Sequence, residues 1–310
     1  MLYLTWQQNT GGRSCHKLRE LFTTFVYQYF LQSKFDVCVF PNQTWLQKDQ
    51  RLIPRDRLGA IIDCNDPYIP EEHTLRCSRF WETRHWKGIQ KFEFEQVLSD
   101  ITNWYTDLVA SGETKRACVV FSGKGSINAK HMCDWGYSQE IVDDIVNIFQ
   151  SKFAKLKPDN VLREEIAVHV RRGDMYHALV EGGTGFPRQV QLNLIKHLYE
   201  TYKLPVKIYT ESVKTSYDVT EMFNELRDSG MPIDISYGSK AYTYRDFYAI
   251  SNSAVIVPHV MTLFSMWACY AKHPGVPVVV VDEYIGKKDG YKDFPKYSKD
   301  VVILKQADLL

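Results

Sequence analysis

Ile166-Ala167-Val168-His169-Val170-Arg171-Arg172-Gly173-Asp174 decides how the rest of this chain is read. Its first half is apolar and β-branched, the pattern of a buried parallel strand. Its second half abruptly presents two guanidinium groups, a glycine and a carboxylate. In an open α/β sheet, ligands sit beyond the carboxyl ends of the strands, where this charge would fall. Arginine keeps its proton and offers a planar fork of donors, so a pair at a strand end suits a phosphate diester or pyrophosphate. Gly173 permits a sharp turn or a close ligand approach. A bare Arg-Arg more often pairs with surface acids; the strand before it and the His and Asp in step with it favour a site.

Working outward, apolar strands alternate with helical periodicity on both sides. Leu2–Trp6 is a strand, a polar Gly-rich loop follows, a helix runs from about 15 to 33, and 35–40 is a second strand. Helices near 93–110 and 139–155 flank a strand at 117–121. The segment 41–91 reads as irregular, with four prolines and the aromatic-basic cluster Arg79–Trp86. That cluster suits either a sugar-stacking groove or loop packing. Lys155–Asn160 is polar and contains a proline, which makes it a hinge. Alternation then restarts. Strands are expected at 165–171, 206–209, 233–236, 254–257, 276–281 and 301–304, with helices at about 188–202, 217–228, 244–251 and 262–272. The fold class is α/β, with domains at 1–157 and 158–310.

Composition narrows the function classes. The chain has 310 residues, 45% hydrophobic and 24% charged, with net charge +1. A near-neutral chain lacks the field that draws nucleic acid or an anionic membrane. No stretch approaches the roughly 20 apolar residues of a membrane span. Seven scattered cysteines without a C-x-x-C pair give zinc and thioredoxin chemistry no support and suit a reducing compartment. No D-x-D, no H-E-x-x-H and no metal-spaced cluster appears, so no metal is expected. The loop Asn9–Ser14 is not G-x-G-x-x-G, but Gly11, Gly12 and Arg13 bring amides and a cation to a helix N-terminus, which favours an anion. Ser122–Ser126 fails the phosphate-loop pattern.

The His169–Asp174 stretch resembles the H-x-R-R-x-D motif of the fucosyltransferase superfamily, which includes α1,2- and α1,6-fucosyltransferases. That resemblance implies a GT-B glycosyltransferase, two Rossmann-like domains facing across a cleft, with GDP-fucose as donor and a glycan as acceptor. It implies that Arg171 and Arg172 hold the donor diphosphate, Arg171 being the more critical arginine, and places His169 among the donor-binding residues. Lys207–Ser212 resembles the family strand that ends in Thr/Ser-Asp at the nucleoside, which falls on Thr210 and Glu211; Glu211 stands where Asp is usual. Asp246–Ser251, Ala254–Val257 and Thr262–Ala268 together resemble a further family block. There Asp246 falls on a base- or ribose-contacting Asp, and Thr262, with Ser265, on the phosphate-binding position. The Gly-rich loop at Gly11–Arg13 resembles the opening of the family's catalytic domain. The resemblance covers 9–18 and 166–268.

An inverting sugar transfer needs a base for the acceptor hydroxyl and cations for the leaving diphosphate. Arg171 and Arg172 meet the second need without a metal or other cofactor. For the base, Glu181 lies in a Gly-rich loop before Phe186-Pro187, as a catalytic Glu does in α1,6-fucosyltransferases, two residues farther from the His than in those enzymes. Asp174 competes with it, and Asp63, Asp66 and Asp134 are further candidates. His169 suits a packed, hydrogen-bonded strand residue better than a base. Another nucleotide sugar such as UDP-xylose, or an inactive carbohydrate-binding homologue, is the alternative. Secretory relatives carry a membrane anchor and stem. Without them a cytoplasmic enzyme, or a catalytic domain trimmed of its anchor, is expected. The oligomeric state is not fixed.

Overall fold

Val-rich strands leave little choice about architecture, because each can bury both faces only under helices. The computed structural model describes residues 1–7, 14–39, 74–77, 90–112, 117–122, 127–155, 157, 159–171, 188–211, 217–238, 243–259, 262–282 and 300–310. The chain divides into two compact units, Met1–Leu156 and Lys157–Leu310. Each is an α/β unit around a parallel sheet, the fold class that the alternating pattern implies.

In the first unit, β1 (Leu2–Gln7), β2 (Val37–Val39), β3 (Thr74–Cys77) and β4 (Ala117–Ser122) form a sheet of order β2-β1-β4-β3. Register is direct: Leu2 faces Val37 on one side and Ala117 on the other. β3 corrects the reading of 41–91 as irregular throughout. Thr-Leu-Arg-Cys is too short to show an alternation, and its strand character comes from pairing with Cys118–Phe121 of β4.

Helix α1 (Ser14–Leu31) buries every residue from Leu21 to Tyr27, more than one face. It can do so because α2 (Lys91–Ala110) and α4 (Gln139–Ala154) pack beside it as well as the sheet. Aromatic rings fill the joints: Tyr27 stacks on Phe121 at 4.6 Å, and Phe149 on Phe153 at 4.4 Å. The short α3 (Ala129–Asp134), which periodicity over six residues cannot reveal, is started by Asn128, whose side chain accepts from the His131 amide at 3.0 Å.

The second unit holds six parallel strands: β5 (Arg163–Val170), β6 (Val206–Thr210), β7 (Ile233–Tyr237), β8 (Ser253–Val257), β9 (Val278–Val281) and β10 (Val301–Leu304). Their order is β10-β9-β8-β5-β6-β7. The chain therefore lays three strands outward from β5 in one direction, returns, and lays three in the other. This is the doubly wound order, and it reverses between β5 and β8. Between the strands run α5 (Arg188–Tyr202), α6 (Tyr217–Asp228), α7 (Thr243–Ser251) and α8 (Leu263–Tyr270). Ile166, Ala167, Val168 and Val170 of β5 are buried, as are all four valines of β9.

Candidate functional site in the second unit

The reversal point sets the site. β5 and β8 lie side by side, with Val168 opposite Val257, and both end at the same edge of the sheet. At such a point the two chains turn away in opposite directions and leave a crevice. His169 and Arg171 come from the β5 end; Pro258 and His259 come from the β8 end, and the chain then enters α8.

Thr262 starts α8. Its backbone is extended (φ −116°, ψ 128°), and its hydroxyl accepts from the Ser265 amide at 3.4 Å. The Thr262 amide donates to the His259 carbonyl at 2.9 Å, and Met266 closes the first helical bond onto the Thr262 carbonyl at 3.2 Å. The amides of Leu263 and Phe264, at the first two helical positions, have no carbonyl within the helix to bond and carry the positive end of its dipole. Thr262 and Ser265 are both buried. His169 Nδ1 lies 3.3 Å from the Thr262 hydroxyl, and its ring packs 5.3 Å from Phe264 and 6.3 Å from His259. Phe264 in turn meets Phe247 of α7 at 5.7 Å, so α7, α8 and β5 are tied through rings.

Electrostatics around His169 run one way. Burial, then the neighbouring His259 and Arg171, push its pKa down to about 3, which keeps the ring neutral. A small part of the residue still reaches the surface, yet the protein encloses the imidazole closely enough to strip its hydration.

A second cluster lies beside the first, at the ends of β6 and β7. Thr210 closes β6 opposite Val170, and Glu211 follows it. Arg171 Nε sits 3.6 Å from Glu211 Oε1, which bridges the clusters. Asp246, in the first turn of α7, accepts from Ser236 Oγ at 3.3 Å. Burial pushes its pKa up to about 6, opposed by that hydrogen bond and by Lys207. Gly238 fits between the two. Its amide donates to the Thr210 carbonyl at 2.7 Å, and a Cβ there would lie 2.9 Å from that oxygen and 3.3 Å from Asp246 Oδ2. Glycine is required at 238 by space rather than by a left-handed backbone.

Seven of the residues singled out from the sequence thus lie along one edge of one sheet: His169, Arg171, Thr210, Glu211, Asp246, Thr262 and Ser265. Gly11, Gly12, Arg13, Arg172, Asp174 and Glu181 lie outside the described residues, as do Asp63 and Asp66. Asp134 belongs to α3 of the first unit and pairs with Lys130 at 2.5 Å. Sequence reasoning passed over His259, Ser236, Gly238 and Phe264. His259 carried a usable signal, since Val257-Pro258-His259 repeats the step from apolar strand to polar residue seen at β5. Among the described residues, no group of three or more His, Cys, Asp or Glu is placed to hold a metal ion. No helix among them is long and apolar enough to cross a membrane.

No family model matches this sequence, and no curated protein matches it. Among solved structures, the chain is similar to POFUT1. POFUT1 in complex with GDP aligns with 89% of this chain and 97% of its own length at 11% identity, with a TM-score of 0.46. POFUT1 in complex with GDP-fucose aligns with 89% of this chain and 96% of its own length at 10% identity, with a TM-score of 0.47. Its apo form has the same coverages and TM-score at 11% identity. A likeness of this degree assigns no role to any residue here.

Proposed function

We propose that this protein is an inverting glycosyltransferase that moves fucose from GDP-fucose to a hydroxyl of a glycan acceptor. One observation carries the reading: three separate motifs come together at and beside the reversal point of a doubly wound sheet, with His169 touching Thr262 there and the helix that carries Asp246 tied to theirs through Phe247 and Phe264. Motifs scattered by chance have no reason to converge where such sheets bind nucleotides.

Arg171 and the first amides of α8 offer fixed positive charge for a diphosphate. Asp246, once ionised, accepts hydrogen bonds from a base or ribose. In the transfer, the bond between the anomeric carbon and the diphosphate oxygen breaks, and the acceptor oxygen bonds to that carbon from the opposite face. The acceptor's proton passes to a carboxylate, for which Glu181 and Asp174 are the candidates. The electron pair of the broken bond stays on the diphosphate, whose added charge Arg171 and Arg172 stabilise. The chemistry needs no metal, so donor binding and turnover should persist in EDTA.

Titration calorimetry with GDP, UDP and their sugars, in EDTA, tests this. GDP should bind, and Arg171→Ala should weaken it about tenfold or more, as expected for a lost charge-assisted contact. UDP binding at the same site would transfer the reading to another nucleotide sugar, such as UDP-xylose. Binding without transfer or donor hydrolysis would mark an inactive carbohydrate-binding homologue. No nucleotide binding at all would end the enzyme reading.

A further inference from the structure

The hydroxyl hydrogens around His169 can be counted, and the count fixes where its ring proton sits. A serine or threonine hydroxyl has one hydrogen to give and two lone pairs to accept with. Ser265 Oγ is 3.1 Å from the His259 carbonyl oxygen, which can only accept, so the Ser265 hydrogen is committed there. Ser265 Oγ also lies 2.8 Å from Thr262 Oγ1. With the serine hydrogen already used, Thr262 must be the donor in that contact. Thr262 Oγ1 has then given its one hydrogen and takes one bond from the Ser265 amide at 3.4 Å. Its remaining contact, 3.3 Å to His169 Nδ1, is left with one polarity: the imidazole donates.

We infer that His169 is held as the neutral Nδ1–H tautomer, with an unprotonated Nε2 lone pair that accepts a hydrogen bond from a ligand hydroxyl. The relay runs His169 Nδ1–H to Thr262, Thr262 to Ser265, and Ser265 to the backbone of His259. It starts at β5 and ends at the β8 exit, so it also pins the two sides of the crevice together. Among the described residues Nε2 has no hydrogen-bond partner. Among the described residues, the groups that face the ring are Arg171, His259, Thr262 and Phe264; none of these is an acid that would favour a second proton on it. His169 is therefore the acceptor of the site, whereas Arg171 and the α8 amides are its donors. An acceptor lone pair repels phosphate oxygen and suits a sugar hydroxyl. The nucleotide-sugar reading is needed only to say whose hydroxyl it is, that of the ribose or that of the transferred sugar.

Nitrogen-detected NMR of the full chain, labelled with ¹⁵N-histidine and assigned with His169→Gln, tests the inference. In the free protein, His169 should show a protonated Nδ1 and a bare Nε2 without titrating between pH 8 and 5. Ser265→Ala returns freedom to the Thr262 hydroxyl and should bring in the Nε2–H form. GDP should shift Nε2 upfield without protonating it, and 2′,3′-dideoxy-GDP should bind and leave it unmoved. If only a GDP-sugar shifts Nε2, the hydroxyl is that of the transferred sugar. Inorganic pyrophosphate should leave Nε2 unprotonated. An Nε2–H tautomer or an imidazolium in the free protein would overturn the assignment. So would GDP and GDP-sugar binding with neither shifting Nε2. Failure of every nucleotide to bind would defeat the nucleotide-sugar reading while the free-protein tautomer still decided this one.

Discussion

Tyr27 brings a hydroxyl into the first unit's core, where it is fully buried and has no hydrogen-bond partner among the described residues. Its ring, stacked on Phe121 and tilted against Phe94, provides the packing. An unmade buried hydrogen bond costs about 1–3 kcal/mol, so Tyr27→Phe should leave stability unchanged or raise it by about 1 kcal/mol in urea unfolding. Asp246 and His169 give opposite pH signatures. The raised carboxyl of Asp246 means the folded chain holds a proton between the ordinary value of 3.8 and about 6, so its contribution to stability falls as pH rises through that window. His169, held at about 3 against an ordinary 6.5, contributes stability that is fully present above 6.5 and lost as pH falls toward 3. Asp246→Asn should remove the first slope and expose the second, so the variant's stability should rise steadily from pH 4 to 6.5. The same titration bears on ligand affinity: GDP binding should weaken below about pH 6 in the native protein and lose that dependence in Asp246→Asn.

Elements announced themselves in the sequence when they were long or apolar. β5 was visible because Ile166–Val170 buries nearly everything, and α8 because Thr262 and Ser265 stand three apart before an apolar run. β3 and α3 were not: four and six residues carry too little periodicity, and pairing or capping creates them. The site was legible in the same uneven way. His169, Asp246 and Thr262 lie within motifs, so their types could be read. Ser236 and Gly238 reach Asp246 from the end of another strand, a juxtaposition that pairing creates, whereas His259 was marked by its place after an apolar strand and only its carbonyl's part in the Ser265 bond was hidden. Gly238 offers a check at this scale. In Gly238→Ala the added methyl meets a backbone oxygen, which cannot swing aside, so the ends of β6 and β7 must part. A loss of about 1–3 kcal/mol in denaturant unfolding is expected, with weakened GDP binding. Unaltered stability and affinity would show that the strand ends yield freely.

Across the whole molecule, each unit has a sheet and a buried core of its own. Chains built this way seldom unfold in a single step. Scanning calorimetry should therefore give a van't Hoff enthalpy below the calorimetric one, and saturating GDP should raise the transition of the second unit selectively. Coincident transitions under every ligand condition would contradict this. The order of the six-stranded sheet also bears on the life of the chain before it is complete. Glu165 of β5 hydrogen-bonds Ser253 of β8 across 88 residues of sequence. At ribosomal rates of about 5–20 residues per second, the central strand waits roughly 5–20 s for its second neighbour. Throughout that wait an Ile-Ala-Val edge lies open to any other nascent strand, the condition under which chains aggregate or recruit a chaperone. A premature stop between the end of β5 and Ser253 would make the wait permanent, so such truncated products should be insoluble.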